Sequence, residues 1–246
     1  SSMAAITRAA LRCLLLLAAA TLVACATNPV THKQELSFVS EAQEISMGTQ
    51  QYQANQQSAG GKYVLDPALS AYVAEVGQKL VKVSDRPQLP FEFVVINDSV
   101  PNAWALPGGK LAINRGLLTE LKSEAELAAV LGHEIVHAAA RHGARSVEKG
   151  TLLAAGAAII GALTAEKRNA DLIEFATQGG AALLSLRYGR EHELEADHYG
   201  IDYMVRAGYD PQAAVELQET FVRLSGNKSP NWLAGLFATH PPSQER

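Results

Sequence analysis

Two histidines spaced four residues apart, with a glutamate directly after the first, are the part of this sequence best suited to chemistry: His133, Glu134 and His137. On a helix, residues i and i+4 lie one turn apart on the same face. Two imidazoles so placed can share one tetrahedral Zn²⁺ at about 2.0–2.1 Å per bond. Glu134 is rotated by roughly 100° from His133, so it can act as general base on a water that the metal activates. A surface helix with two histidines also fits so short a pattern, and the rest of the chain must supply a third ligand.

An acidic segment further along the chain, residues 188–197, can supply that ligand. Glu193 and Asp197 share one helical face, whereas Glu195 lies on roughly the opposite side. Glu193 would complete a His₂Glu ligand set with one open position for water. Asp197 could accept the ring N–H of a metal-bound histidine and so fix its tautomer. A charge run is also typical of a solvated helix face, and the residues alone leave open the choice among Glu191, Glu193 and Glu195.

The histidine pattern lies on a helix that the sequence delimits. Ser123 and Glu126 form a capping box that predicts the start of this helix. We expect it to run to about His142, with Gly143 as its C-cap. His142 follows His137 by five positions and is therefore predicted to face away from the metal, either as an outer neighbour of the metal ligands or as a surface residue.

The segments before this helix predict further helices and a small sheet. Residues 40–57 are expected to be helical, and Asp66-Pro67 marks the N-terminus of a second helix. The β-branched and aromatic run 91–96 predicts a strand. Residues 102–114 flank a Pro-Gly-Gly turn and predict a hairpin. Beyond the histidine helix, Asp210-Pro211 marks the start of the last clear helix.

The hairpin could bind substrate. A strand at a sheet edge can hold an extended peptide through main-chain hydrogen bonds, which tolerate many sequences. The candidate substrate-binding residues are Asn102, Ala103, Trp104 and Ala105. An ordinary structural hairpin with Trp104 in the core is the alternative.

Composition restricts the class of protein and the metal ligands. The chain has 246 residues, 48% of them hydrophobic and 19% charged, which is enough for one domain with a sizeable core. The 21 Lys+Arg and 25 Asp+Glu residues give a net charge of −4, so nothing indicates nucleic acid as a partner. The two cysteines, Cys13 and Cys25, both lie near the N-terminus. A metal bound further along the chain must therefore be held by His, Asp or Glu.

The N-terminal residues resemble a bacterial lipoprotein signal. Arg8 and Arg12 precede an apolar run of signal-peptide length that ends in Leu22-Val23-Ala24-Cys25, which resembles a lipobox. That resemblance implies cleavage before Cys25 and its acylation, and Ala26 in the next position looks like the outer-membrane sorting choice. A plain secretory signal with a free cysteine is the alternative. The predicted organisation is a signal peptide at 1–24, a lipid-anchored tether at 25–39 and one domain at 40–246.

The combination and order of these motifs resemble a known family. His133-Glu134-x-x-His137 followed by Glu193-x-x-x-Asp197-x-x-Gly200 is similar to the HtpX-like and CAAX-prenyl-protease-like zinc metallopeptidases. The resemblance is closer to their periplasmic lipoprotein branch, which is related to the mitochondrial Oma-type proteases. It covers about residues 40–246 and extends to three further matches: residues 102–109, Arg190 and the His240-Pro241 element.

The resemblance implies a fold and an active site. The fold is a predominantly helical α+β, zincin-like domain with a small sheet whose edge strand precedes the active-site helix. One Zn²⁺ per chain is implied, held by His133, His137 and Glu193, with Glu134 as catalytic base. His240 has three open roles: stabilising the oxyanion, binding zinc as a fourth ligand in a resting state, or capping a loop. Arg190, which precedes the glutamate ligand, is a second candidate for the oxyanion.

The implied function is hydrolysis of peptide bonds in misfolded or damaged envelope proteins, at the periplasmic side of the outer membrane. Two other classes of protein fit the same residues. One is a chaperone-like or assembly-factor lipoprotein whose site is latent or only structural. The other is a zinc amidase acting on cell-wall peptides, against which the expected edge strand counts. The oligomeric state stays open.

Overall fold

The computed structural model describes residues 24–164, 188–227 and 239–240, together with four single residues near the N-terminus (Arg8, Leu11, Arg12 and Leu15). Most of the predicted signal peptide lies outside the described residues, as do Pro241 and Pro242.

The described segments contain seven helices and five strands. The strands are β1 (Cys25–Thr27), β2 (Gln34–Leu36), β3 (Glu92–Ile96), β4 (Ala103–Leu106) and β5 (Lys110–Asn114). The helices are α1 (Glu41–Ser58), α2 (Pro67–Val83), α3 (Arg115–Leu118), α4 (Glu124–Ala139), α5 (His142–Thr164), α6 (Arg190–Arg206) and α7 (Gln212–Asn227). The expected α+β class with a predominance of helix is confirmed. Within these segments, no helix is both long enough and apolar enough to cross a membrane.

The main sheet has three strands in the order β3-β5-β4. β3 pairs with β5 in parallel, and β4 pairs with β5 in antiparallel orientation with Ala103 opposite Ile113. The predicted hairpin is therefore confirmed, and its turn contains Gly108 and Gly109 at φ values of 80° and 93°, which glycine adopts without a Cβ penalty. β4 is an edge strand, and it precedes the histidine helix α4 in the chain.

The two faces of this sheet belong to two apolar clusters. One face, which includes Ala103, Ala105 and Ile113, packs in the larger cluster with residues of α2, α4, α6 and α7. The other face forms a smaller cluster with Tyr52 of α1. Because side chains alternate along a strand, Trp104 points to the Tyr52 side while its neighbours Ala103 and Ala105 point to the α4 side. The edge strand is therefore held from both sides and lies directly against α4.

Local capping residues explain where the first helices begin. Ser40 and Gln43 form a reciprocal capping box at α1, and Asp66 accepts from the N–H of Leu69 at α2. At α4 the predicted box is only half formed. Ser123 accepts from the N–H of Glu126, but the Glu126 carboxylate accepts from the N–H of Lys122 instead of the N-cap. The predicted starts of α1, α2 and α4 are therefore confirmed.

The predicted C-terminus of the histidine helix is wrong. α4 ends at Ala139, and Arg141 adopts a left-handed conformation with φ of 61° before α5 begins at His142. Gly143 is consequently an early residue of α5 and not a C-cap. The helix breaks because Arg141 is anchored by residues about a hundred positions earlier, namely Glu35, Val39 and Glu44. Such contacts leave no local signal in the sequence.

The segment predicted to be a tether is folded against the domain from its first residues. Cys25–Thr27 pairs with Gln34–Leu36 as a two-stranded antiparallel ribbon. Asn28, in the loop between them, is buried and donates its amide to the carbonyl of Ala140 at 2.9 Å. The Glu148 carboxylate accepts from the backbone N–H of Val39 at 3.1 Å. Residues 25–39 therefore pack against the turn between α4 and α5 through Asn28 and Val39.

Candidate metal centre

Close helix packing brings the two predicted ligand segments together. α4 and α6 cross at Gly132 and Gly200. A Cβ on Gly132 would lie 3.0 Å from the carbonyl oxygen of Gly200, and a Cβ on Gly200 would lie 3.0 Å from the backbone nitrogen of His133. The absence of side chains lets the backbones approach closely. Near this crossing, the polar side chains of α4 and of α6 therefore face each other.

Four donor side chains meet at one point of this crossing. One ligand atom from each of His133, His137, Glu193 and His240 lies within 4.8 Å of the others. The Nε2 atoms of His133 and His137 are 3.0 Å apart, and Glu193 Oε1 lies 3.1 Å from His137 Nε2. His240 Nδ1 lies 2.9 Å from Glu193 Oε1 and 3.3 Å from His133 Nε2. The three predicted ligands and His240 therefore converge on a space the size of a single cation.

The structure separates the three candidate glutamates of α6. Glu193 is fully buried among the imidazoles. Glu191 is exposed, and Glu195 lies away from the cluster against His142 and Arg145. Asp197 accepts a hydrogen bond from His133 Nδ1 at 2.8 Å, which leaves His133 Nε2 directed at the cluster. The structure thus brings Glu193 and Asp197, but not Glu191 or Glu195, to the first histidine.

His142 does not face away, contrary to the prediction from its five-residue spacing. Its Nδ1 lies 2.7 Å from Nδ1 of His137, and its Nε2 lies 2.7 Å from Oε2 of Glu195. The break at Arg141 turns His142 back toward α4, so helical spacing does not apply across it. Glu195 acquires a place behind the second histidine for the same reason. The sequence allowed an outer position for His142 but did not predict its contact with His137, and it did not predict the place of Glu195.

Glu134 lies beside the donors without joining them. It is 2% exposed, and its Oε1 lies 3.1 Å from Nε2 of His240. Its Oε2 is buried with no hydrogen-bond partner among the described residues. An acceptor held next to the donor cluster is available to a water or substrate group that enters there.

His240 links the donor cluster to the edge strand. While its Nδ1 faces the ligands, its Nε2 lies 2.9 Å from the carbonyl oxygen of Ala103 on the free edge of β4. Thr239, the residue before it, donates its hydroxyl to the side-chain oxygen of Asn102 at 3.0 Å. The carbonyl of Ala105, the next one on that edge, accepts from the hydroxyl of Tyr188 at 2.6 Å. The outer edge of β4 therefore runs along the donor cluster, and two side chains occupy its carbonyls.

Trp104 takes a different position from the other predicted substrate-binding residues. Its side chain is 2% exposed and packs edge-on against Tyr52, with ring centroids 6.0 Å apart. Because the N–H of Asn114 bonds to the carbonyl of Asn102, the alternation of an antiparallel ladder directs the backbone groups of Trp104 at β5. Trp104 therefore presents neither its side chain nor its backbone to the free edge, in agreement with the structural alternative for this residue.

Tyr188 is a further residue of the site that the sequence did not single out. Its ring stacks on that of His137, with centroids 3.7 Å apart and an interplanar angle of 10°. Burial raises the pKa of its hydroxyl well above the ordinary value. A neutral Tyr188 thus connects the second histidine to the edge strand.

The electrostatics of the cluster suit a cation. Burial lowers the pKa of His133, but the carboxylates of Glu193 and Asp197 outweigh this effect and raise the pKa to about 9. Burial opposes ionisation of Glu193, yet the imidazoles of His133, His137 and His240 hold its pKa below the ordinary value. Without a metal, the cluster therefore binds protons in the space between an ionised carboxylate and several ring nitrogens. A divalent cation can replace such protons.

The donor set fits a zinc-type metal centre. Two imidazole nitrogens and one carboxylate oxygen, converging with a fourth position beside them, are the protein ligands of a catalytic Zn²⁺ site. Asp197 supplies the outer hydrogen bond that metal-bound histidines usually make. The described residues place no cysteine near this point, since Cys25 is exposed at the start of β1.

Arg190 and Cys25 lie outside the cluster. Arg190 is the first residue of α6, is exposed, and borders an open groove with Lys33, His198 and Tyr199. Its assignment to the oxyanion stays a prediction. The acylation of Cys25 stays a prediction as well.

A helix that carries two histidines and a glutamate, a third donor from a following helix and an adjacent edge strand together define a zincin-like metallopeptidase domain. The chain belongs to peptidase family M48, whose sequence profile matches residues 67–246. The resemblance inferred from the motifs is thereby confirmed.

Named relatives agree with this family. The beta-barrel assembly-enhancing protease of Yersinia pestis is 34% identical over 70% of this chain and 36% of its own length. The mitochondrial metalloendopeptidase OMA1 of Schizosaccharomyces pombe is 34% identical over 89% of this chain and 63% of its own length. That of Arabidopsis thaliana is 35% identical over 64% of this chain and 30% of its own. The chain thus spans less than two thirds of each of these relatives.

Proposed function

We propose that this protein is a zinc-dependent endopeptidase that hydrolyses peptide bonds in proteins of the bacterial cell envelope. The observation that carries the proposal is the convergence of His133, His137 and Glu193 with the buried carboxylate of Glu134 beside them. Membership of a metallopeptidase family supports the same activity.

Zinc is the metal that the donor chemistry favours. His133 and His137 would bind it through Nε2, and Glu193 through its carboxylate. When bound, Zn²⁺ polarises the scissile carbonyl and lowers the pKa of an attacking water from 15.7 to about 7. Neutral imidazoles with one carboxylate are typical of catalytic zinc sites, whereas all-oxygen sets suit magnesium or calcium.

Glu134 is the general base in this proposal. Its buried carboxylate takes a proton from the attacking water and later delivers it to the leaving amine. Burial beside the donors restricts the carboxylate to a small volume, which provides the orientation that proton transfer needs.

Substrate is proposed to lie as an added strand on the free edge of β4. The backbone groups of Ala103 and Ala105 face that edge, next to the donor cluster. Main-chain pairing there would place the scissile bond near Glu134 with little demand on sequence. Asn102, whose side chain bonds to Thr239, marks one end of the edge.

His240 is proposed to be a resting ligand. Its Nδ1 faces the same space as the other donors, and its Nε2 occupies the Ala103 carbonyl that a substrate strand would need. A productive complex therefore requires His240 to leave this position. After that movement the imidazole could still donate to the developing oxyanion, as could Arg190. The roles of His240 as resting ligand and as oxyanion donor are therefore compatible.

The proposal also includes where the protein is located and which proteins it cleaves. Acylation of Cys25, the first residue of β1, would attach the protein to the outer membrane on its periplasmic side. Relatives named beta-barrel assembly-enhancing protease support an envelope role, and misfolded or damaged envelope proteins are the proposed substrates.

The decisive experiment changes only the base. Glu134→Gln should keep stoichiometric zinc but cleave casein about 10²–10⁴-fold more slowly than the unchanged protein, because general-base catalysis is lost. Zinc content by atomic absorption and casein cleavage are measured on the same samples. Glu75→Gln, the same change at an exposed position of α2, is the control and should retain full activity.

The result also separates the proposal from its main rival. In an assembly factor with a latent site, zinc would be structural, the unchanged protein would not cleave casein, and Glu134→Gln would leave the zinc content unchanged. Cleavage by Glu134→Gln at the rate of the unchanged protein, with zinc retained, would contradict the peptidase proposal.

A further inference from the structure

We propose that His142 is a positioning residue, which holds the imidazole of His137 in the orientation required for metal binding. His142 does not itself touch metal or substrate. The proposal rests on the proposed metal site and identifies how that site is kept in shape.

The hydrogen-bond chain behind His137 has one consistent set of proton positions. If Nε2 of His137 binds the metal, its Nδ1 carries the proton and donates to Nδ1 of His142, 2.7 Å away. A neutral His142 that accepts at Nδ1 carries its own proton on Nε2. That proton is donated to Oε2 of Glu195, also 2.7 Å away. Metal binding at His137 and anchoring at Glu195 therefore require the same tautomer of His142.

The far end of the chain is fixed by charge. Arg145 Nη1 lies 2.8 Å from the same oxygen of Glu195, and Arg145 Nε lies 3.1 Å from Oε2 of Glu35 in β2. Glu195 is thus held by a guanidinium, and the same carboxylate oxygen is positioned to accept from His142.

Ring stacking restricts the remaining freedom of both imidazoles. His192 stacks on His142 with centroids 4.3 Å apart and an interplanar angle of 6°. Tyr188 stacks on His137 at 3.7 Å. Stacking on an aromatic neighbour fixes the plane of each ring, and the hydrogen bonds fix its orientation within that plane.

The backbone is shaped for this contact. In a continuous helix, His142 would lie roughly 140° around the axis from His137 and could not reach its ring. The left-handed Arg141 reverses that direction. Its guanidinium is buried and contacts the carboxylates of Glu44 and Glu148 at 3.5 and 3.3 Å, and Asn28 caps the neighbouring Ala140 carbonyl. Arg141 thus adopts a strained backbone conformation that several buried contacts stabilise. This indicates that the fold imposes the position of His142 beside His137.

The test compares two replacements of His142 in the otherwise unchanged chain. His142→Phe keeps an aromatic ring for stacking but has no donor or acceptor. His142→Gln has an amide oxygen that can accept from His137 and an amide N–H that can donate to Glu195. His192→Phe is the matched control. It also replaces a histidine by phenylalanine and keeps the stacking on His142, but His192 is not part of the hydrogen-bond chain from His137 to Glu195.

The measurements are zinc affinity, by competition with a chromophoric chelator, and the visible absorption spectrum of the Co²⁺-loaded protein. We expect His142→Phe to weaken zinc binding about 10–100-fold, the range typical of a lost outer partner, and to alter the Co²⁺ spectrum. His142→Gln should recover most of the affinity, and His192→Phe should retain it. A purely structural histidine would give no rescue specific to glutamine and no change in the Co²⁺ spectrum.

Three outcomes would overturn the proposal. They are an unchanged affinity in His142→Phe, an equal loss in His142→Phe and His142→Gln, and an equal loss in His192→Phe. If His142→Phe does not fold, Glu195→Gln replaces it and should weaken zinc binding in the same direction; an unchanged affinity there would also overturn the proposal. Failure of the unchanged protein to bind zinc would instead contradict the proposed function.

Discussion

Three glutamates at alternate positions of α6 have three different environments, which shows that the site depends on single residues. Glu191 is exposed, Glu193 is buried among histidines, and Glu195 bonds to His142. Successive alternate residues of a helix are rotated by roughly 200°, so only one of the three can point along the line between α6 and α4. The glutamate that does so is the predicted ligand.

A conservative pair of substitutions tests this assignment. Glu193→Gln should lose zinc by more than the roughly 10–100-fold expected of an outer partner, because a neutral amide replaces an anionic ligand. Glu191→Gln makes the same change at an exposed side chain of the same helix and should retain zinc. Equilibrium dialysis against ⁶⁵Zn²⁺ measures both. Loss of zinc in Glu191→Gln with retention in Glu193→Gln would transfer the ligand role.

At the scale of elements, the distance between α4 and α6 controls the site. The crossing at Gly132 and Gly200 lets donors from both helices meet, and neither position has space for a side chain without movement of the facing backbone. Gly156, in α5, is also helical, but a Cβ added there would have no atom of the described residues within 4 Å. Gly156 and Gly200 therefore have the same backbone preference and different surroundings.

Replacing each of these two glycines by alanine isolates the packing effect. Gly156→Ala should stabilise the protein by about 0.5–1 kcal/mol through helix propensity alone. Gly200→Ala receives the same gain but must push His133 away, which costs about 1–3 kcal/mol, and it should also weaken zinc binding. Chemical denaturation gives the free energies of unfolding. Equal stabilisation by both substitutions, with zinc affinity unchanged, would contradict this view of the crossing.

At the scale of the whole molecule, the N-terminal segment joins the proposed anchor to the metal site. Cys25 begins β1, and three residues later Asn28 is buried against the turn that orients His142. Acylation of Cys25 would therefore hold the domain close to the membrane surface without an intervening spacer. Glu35, in the partner strand, reaches Arg145 and so connects the ribbon to the chain of hydrogen bonds behind His137.

The anchor itself can be tested with the two cysteines of the chain. Cys25→Ser, expressed with the full leader, should move from the membrane to the soluble fraction and lose incorporation of labelled palmitate, because serine offers no thiol for the lipid. Cys13→Ser lies inside the predicted signal peptide and should leave both properties unchanged. Membrane localisation and labelling of Cys25→Ser equal to those of the unchanged protein would exclude a lipid anchor at this residue.

Local interactions explain what could be derived from the sequence. The placement of His133, Glu134 and His137 follows from helix geometry alone, and the caps at Ser40, Asp66 and Ser123 involve neighbours three residues away. The hairpin likewise depends on its turn and on adjacent strands. These features can therefore be predicted without knowing how the rest of the molecule folds.

Tertiary structure decided the remainder, because the relevant contacts join residues far apart in the chain. His240 meets Glu193 across 47 positions and Ala103 across 137. The turn at Arg141, held by residues about a hundred positions earlier, reversed the predicted direction of His142. The chain by itself therefore determined which residues could bind a metal and activate water. Only the packing of α4, α6 and the N-terminal ribbon determined which of them meet, because a side chain's direction beyond a backbone break depends on distant partners.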